Sequence, residues 1–259
     1  MRLFLAAAAL LALTPAPSLA QLPAALEAAL STNPREAAPT GLDFRLEEGG
    51  EGITVRVDLS GEDVRYRLLQ PSEADLSETQ QEMWDGFLDP EEDAFRDTDD
   101  PDAGEGLTGP VSLRRMVGDE ARHLRDEGGL AIYGFAPQSM AVGADVDDGE
   151  GDAQMDAMLR HLNGEIALDA SGHVAWVHLF AAESFKPNMA ARINTFSMRQ
   201  SFVFEPAYAA PRLSRLEMAL SGSAAFQSFE QSMAMEISNL VFDGGDAQSG
   251  DLGAAAESP

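Results

Sequence analysis

The chain has 259 residues, with 44 acidic side chains against 17 basic ones, a formal net charge of −27 and no cysteine. This balance argues against nucleic acid and anionic lipid surfaces, which need Lys and Arg to neutralise phosphate. Without cysteine there are no disulfides, thiolate metal sites or sulfur nucleophile. The hydrophobic fraction of 44% is that of a globular chain, so acidity does not imply disorder throughout.

Residues 1–20 have the form of a cleaved export signal. Arg2 is a short positive start, Leu3 to Leu13 is an apolar stretch, Pro15 and Pro17 break it, and Ser18-Leu19-Ala20 supplies a small-x-small cleavage pattern. The apolar run is too short to span a bilayer, and no later stretch approaches the ~18 apolar residues a span requires. The expectation is a mature chain from Gln21, periplasmic or secreted, with no integral membrane segment once the signal is removed.

In the mature chain Leu22, Leu26 and Leu30 form one helical stripe, stopped by Asn33-Pro34. Residues 42–48 and 52–59 then alternate, with Ile53, Val55, Val57 and Leu59 on one face. Turns at Glu48-Gly49-Gly50-Glu51-Gly52 and Ser60-Gly61-Glu62 make this a three-stranded meander to about Gln70. After Pro71 a helix carries Leu76, Met83, Trp84, Phe87 and Leu88 on one side, with Ser77 and Gln80 at capping-box spacing. Residues 89–106 form an acidic loop in which the carboxylates meet only Arg96.

Val111, Met116, Val117, Ala121 and Leu124, with arginines between them, predict a helix over 111–127 ended by Gly128-Gly129. A strand begins at 130–137, and a second acidic loop occupies 145–152. From about Met158 the pattern is β. Leu162 to Leu168, 173–183 and 191–204 alternate, the last with Phe196, Met198, Phe202 and Phe204 on one face. Leu216, Met218, Leu220, Gly222, Ala224 and Phe226 share a face of the next strand, and Phe229, Met233, Met235 and Ile237 a face of the last. Clean period-2 alternation predicts antiparallel strands with one apolar and one polar face. Residues 244–259 are a Gly/Ala/Ser/Asp tail expected to be disordered. With no linker or repeat, residues 21–243 are expected to form a single α+β domain, a curved, half-barrel-like antiparallel sheet covered by two or three α-helices.

No constellation identifies a reaction. His173 and His178 lie five apart on a strand and face opposite ways, and His123 falls in the charged helix expected over 111–127. Asp145, Asp147 and Asp156 match three calcium-loop positions, but Gly149 and Glu150 break the pattern where a ligand and the turn glycine belong. No Gly-x-Ser-x-Gly or Ser-x-x-Lys occurs, and glycine-rich phosphate loops are missing. The expectation is a non-enzyme without metal or cofactor.

The apolar face of the C-terminal sheet is rich in flexible side chains, which suits acyl chains or a partner's hydrophobic segment. The candidate ligand-binding residues are Met198, Phe202, Met218, Leu220, Phe226, Met233 and Met235, with helices 76–88 and 111–127 expected to act as a movable lid whose contacts are Trp84 and Phe87. Gly222 and Ala224 would leave space there. The alternative is that this face is filled core, in a non-enzymatic cell-envelope interaction or structural protein.

The order of elements over 22–242 resembles the periplasmic lipoprotein carriers (LolA/LolB-like): a cleaved signal, a short helix, an early meander, mid-chain helices and a long closing meander. Segments 185–196 (FKPNMAARINTF) and 221–231 (SGSAAFQSFEQ) lie within that last part. The resemblance implies a half-barrel over an apolar cavity for lipid or acylated protein. The two acidic loops and the late β-run depart from it, and no functional residue is carried over.

Overall fold

A computed structural model describes residues 22–31, 34–35, 37–61, 63–88, 113–139, 157–187, 191–224 and 227–242. The expected export signal, the two acidic loops, the calcium-like motif, the C-terminal tail and Phe226 all lie outside the described residues.

The sheet has ten antiparallel strands: β1 (Pro39–Glu48), β2 (Glu51–Asp58), β3 (Arg65–Gln70), β4 (Ala121–Glu127), β5 (Leu130–Phe135), β6 (Leu162–Leu168), β7 (Val174–Ala181), β8 (Ala191–Glu205), β9 (Ala210–Ala224) and β10 (Gln227–Phe242). Their spatial order is β3-β2-β1-β10-β9-β8-β7-β6-β5-β4. Two meanders, β1–β3 and β4–β10, are therefore joined where the last strand returns beside the first, and the sheet is open, with β3 and β4 at its edges.

Alternation decides which face is buried. In β2, Ile53, Val55 and Val57 are at most 1% exposed, while Thr54 and Arg56 between them are half-buried. The apolar face continues through Leu42 and Phe44 of β1, Ile166 of β6, Val177 and Leu179 of β7, and Leu216 of β9 into one cluster. Each such side chain contributes on the order of 1.5–3 kcal/mol when fully buried.

Helices add to this cluster from the same face. Helix α1 (Ala24–Leu30) contributes Leu26 and Ala29. Helix α2 (Glu78–Leu88) contributes Met83 and Trp84 and packs on β2 and β3. Its start is the expected capping box. The Gln80 backbone N–H donates to Ser77 Oγ at 3.2 Å, and the Ser77 N–H donates to Gln80 Oε1 at 3.0 Å. Gln80 Nε2 also donates to the Gly52 carbonyl at 3.0 Å, tying the helix to the start of β2.

The helix expected over 111–127 is not formed. Among the described residues of that segment only α3 (Arg114–Val117) is helical, and residues 121–127 are the edge strand β4. Gly128 and Gly129, at φ +60° and +84°, make the tight β4–β5 hairpin turn instead of a helix end. Met116 and Val117 are fully buried as expected, but Leu124 is exposed at the edge.

Candidate functional site

The register of the long strands sets out the candidate apolar face row by row. Leu179, Met198, Met218 and Met233 stand directly opposite one another across β7, β8, β9 and β10. The next row runs Val177, Gln200, Leu216, Met235 and Leu46, continuing to Ile53 of β2. Three of the expected residues, Met198, Met218 and Met233, are thus one cross-strand ladder, and Met235 sits one row along. Phe202 lies further down β8 opposite Leu213. Leu220 lies the other way, opposite Phe196 on one side and Gln231 on the other.

The methionine row marks a rim. The pairing of β1 with β10 ends at Glu48 and Met233, and that of β7 with β8 at Phe180 and Ser197. Beyond it β8, β9 and β10 run on as a three-stranded extension, joined to the preceding segment at one bridge between Phe185 and Ile193. Burial follows this geometry. Met198, Phe202 and Met235 are 4%, 6% and 7% exposed, whereas Met218, Leu220, Phe229 and Met233 are half-buried.

Trp84 and Phe87 belong to a different neighbourhood. Phe87 packs edge-on against Phe44 at 5.5 Å and against Tyr66 at 5.7 Å, with Trp84 6.5 Å away. They seat α2 on the β1–β3 end of the sheet. The space expected at Gly222 is taken. A Cβ there would lie 2.3 Å from the Arg192 carbonyl oxygen and 2.7 Å from the ring of Phe229, which covers the glycine.

Sequence pattern alone missed Gln200. It is 2% exposed on the apolar face, between Val177 and Leu216, and its Oε1 is buried without a hydrogen-bond partner among the described residues. Such an orphaned acceptor costs on the order of 1–3 kcal/mol. Its signal was present: one amide interrupts the apolar series Phe196, Met198, Phe202 and Phe204 at period two.

The histidines are dispersed. His123 meets the edge of Tyr133, His161 stacks on Phe185 at 4.6 Å, and His173 stacks on Phe204 at 4.1 Å. His178 shares a hydrogen bond with Ser197 Oγ at 2.9 Å. Among the described residues no three His, Asp or Glu side chains gather as a metal ion requires, and no helix is long and apolar enough to cross a membrane.

No protein-family model, curated protein or solved structure matches this chain.

Proposed function

We propose that this chain is a non-enzymatic binding protein of an export compartment, periplasmic or secreted, that takes a hydrophobic ligand against the apolar face of a curved, half-barrel-like sheet. The ligand is an elongated apolar group such as the acyl chain of a lipid or of an acylated protein. The observation that carries this reading is the methionine row at the rim, half-open at Met218 and Met233, with the orphaned Gln200 acceptor one row deeper.

Methionine is unbranched and polarizable, so a row of three repacks around an inserted chain at small cost. Binding would be driven by release of water from Leu220, Phe229 and Met233 as the chain lies along them. Its inner end would displace the methionine side chains toward Gln200. Helix α2, held on β1–β3 by Gln80 at its start and by Phe87 in its last turn, would serve as the cover at that end of the sheet. The leader-like residues 1–20 support the compartment.

The test is lipid extraction and mass spectrometry on protein purified from its native compartment without detergent. A stoichiometric lipid or acylated peptide supports the reading and names the cargo. A ligand-free protein of ordinary stability favours a second reading, a cell-envelope interaction protein with a closed core. That alternative draws on the burial of Trp84, Met198, Phe202 and Met235 by the chain's own side chains.

A further inference from the structure

The opposite face of the sheet carries a second feature, independent of the apolar one. Glu165, His178, Arg199, Glu217, Ala234 and Glu47 stand directly opposite one another across β6, β7, β8, β9, β10 and β1. One row along, Ser197, Ala219 and Ser232 face each other, and Ser232 accepts from the Gly49 N–H of the β1–β2 turn. Small side chains flanked by long ones leave a groove of about 540 Å³, floored by Ser197, Ala219, Ser232 and Ala234 and walled by His178, Arg199, Arg215, Glu217 and Glu47. That volume lies within the range of small-molecule sites.

The charges around this groove are almost all spoken for. Glu217 accepts from Arg215 at 2.9 Å, Glu165 accepts from both terminal nitrogens of Arg125 at 2.9 and 3.1 Å, and Glu47 is paired with Arg45. Each of the three carboxylates thus has an arginine, while Glu217 Oε2 and Glu47 Oε2 accept from no described residue. Arg199, which stands between Glu217 and His178, makes no hydrogen bond or ion pair to any described residue. Its guanidinium instead lies over the Trp176 ring, 4.4 Å from the centroid. Stacking holds the plane of the fork while leaving its N–H donors free, the arrangement that suits bidentate recognition of a carboxylate.

We propose that this groove binds a small zwitterion of the amino-acid or short-peptide type, its carboxylate on Arg199 and its ammonium toward the carboxylates of Glu217 and Glu47. Two features select a zwitterion over a simple anion. The chain's charge of −27 repels a ligand of net negative charge. The groove also places carboxylates at graded distances from Arg199. Glu217 is on the adjacent strand, and Glu47 is three strands away, about 14 Å at the usual strand spacing. A free amino acid reaches the first, and a peptide of about three residues approaches the second.

The test is titration of the full-length protein with glycine, diglycine, triglycine, acetate and ethylammonium, followed by calorimetry and by tryptophan fluorescence, since Trp176 lies beneath the contact. The expected result is saturable binding of at least one zwitterion, with acetate and ethylammonium each at least tenfold weaker. Arg199→Gln should lower the affinity at least tenfold, and Arg199→Lys, which keeps the charge but loses the fork, should fall between. Glycine outranking triglycine would assign Glu217 as the ammonium partner, and the reverse order Glu47. Three results overturn the proposal: no zwitterion binds the native chain, acetate binds as tightly as the zwitterions, or affinity is unchanged in a folded Arg199→Gln or Arg199→Lys variant.

Discussion

Gln200→Met is the most informative single change. Gln200 is 2% exposed on the apolar face, with Val177 and Leu216 opposite and an amide oxygen that has no partner among the described residues. Methionine has nearly the same length and volume, so the substitution removes the orphaned acceptor without leaving a hole. The desolvation cost of such a group is about 1–3 kcal/mol, and a chain of this size gains roughly 2–4 °C in Tm per kcal/mol. The expected outcome is therefore a Tm increase of roughly 2–12 °C, measured by circular dichroism, with a parallel rise in urea midpoint at unchanged slope. Gln200→Ala should gain less, because the truncated side chain leaves a cavity. If Gln200 serves a ligand, Gln200→Met should also be recovered with less lipid than the native chain. A fall in Tm would refute the reasoning, since it would mean that Oε1 has a partner in solution. A stabilised variant with undiminished lipid would remove Gln200 from the ligand site.

Three further outcomes are expected. Burial alone would raise the pKa of Asp43, but hydrogen bonds from Arg56 and Asn239, with the charges of Arg56 and Arg67, outweigh it and hold the carboxyl below its usual range. Its stabilisation is then complete above the unfolded value of about 4 and is lost as pH falls through the folded one. Asp43→Asn should cost about 1–2 kcal/mol at pH 7, a discounted figure because Arg56 is partly exposed, and should flatten the acid limb of a pH–stability curve. His178 is shifted down, by burial first and then by the charge of Arg199, against an opposing pull from Glu165. It should titrate by NMR below about 6.5, its stabilising contribution full above that pH and declining below it, and Arg199→Gln should raise its pKa. Gly222→Ala would set a Cβ against a backbone carbonyl that cannot swing aside, so it should destabilise by about 1–3 kcal/mol, seen in urea denaturation.

The elements legible from sequence are those whose burial is one-sided. In β2 and β6 to β10 alternating apolar residues meet a buried face, and in α2 the Ser77–Gln80 box and the Met83/Trp84 side match the structure. Segment 121–127 failed for the opposite reason. As an edge strand with six of seven residues exposed, it has no buried side to print an alternation, and its arginines at irregular spacing suggest the outer side of a helix. The Gly128-Gly129 pair was ambiguous, because a positive φ ends a helix or turns a hairpin equally well. Polar-face sites were illegible for a different reason. Arg199, Glu217 and Glu47 are far apart in sequence, and only the register of the four strands β8, β9, β10 and β1 brings them onto one row, with Arg199 unpaired among the described residues.

Both proposed sites therefore depend on one quantity, the register of β8 against β9 and β10. A slip of one residue in β8 would carry Met198 to the polar face and bring Arg199 to the apolar one, and the same slip in β9 would exchange Met218 with Glu217. Long strands with few distinguishing residues are prone to such slips, and this sheet counters them with local irregularities. Pairing is interrupted between Ile193 and Thr195 and between Ser201 and Phe202, on either side of the shared Met198–Gln200 segment. Near the far end of β10, Asn239, at φ +49°, donates its side-chain N–H to Asp43 Oδ2 at 2.6 Å, where the β1–β10 pairing is itself shifted. Bulges of this kind cost ladder hydrogen bonds but leave one alignment far better than its neighbours. The buried Asp43 cluster is then a register pin more than a source of net stability. This accounts for the one buried carboxylate among the described residues, 6% exposed.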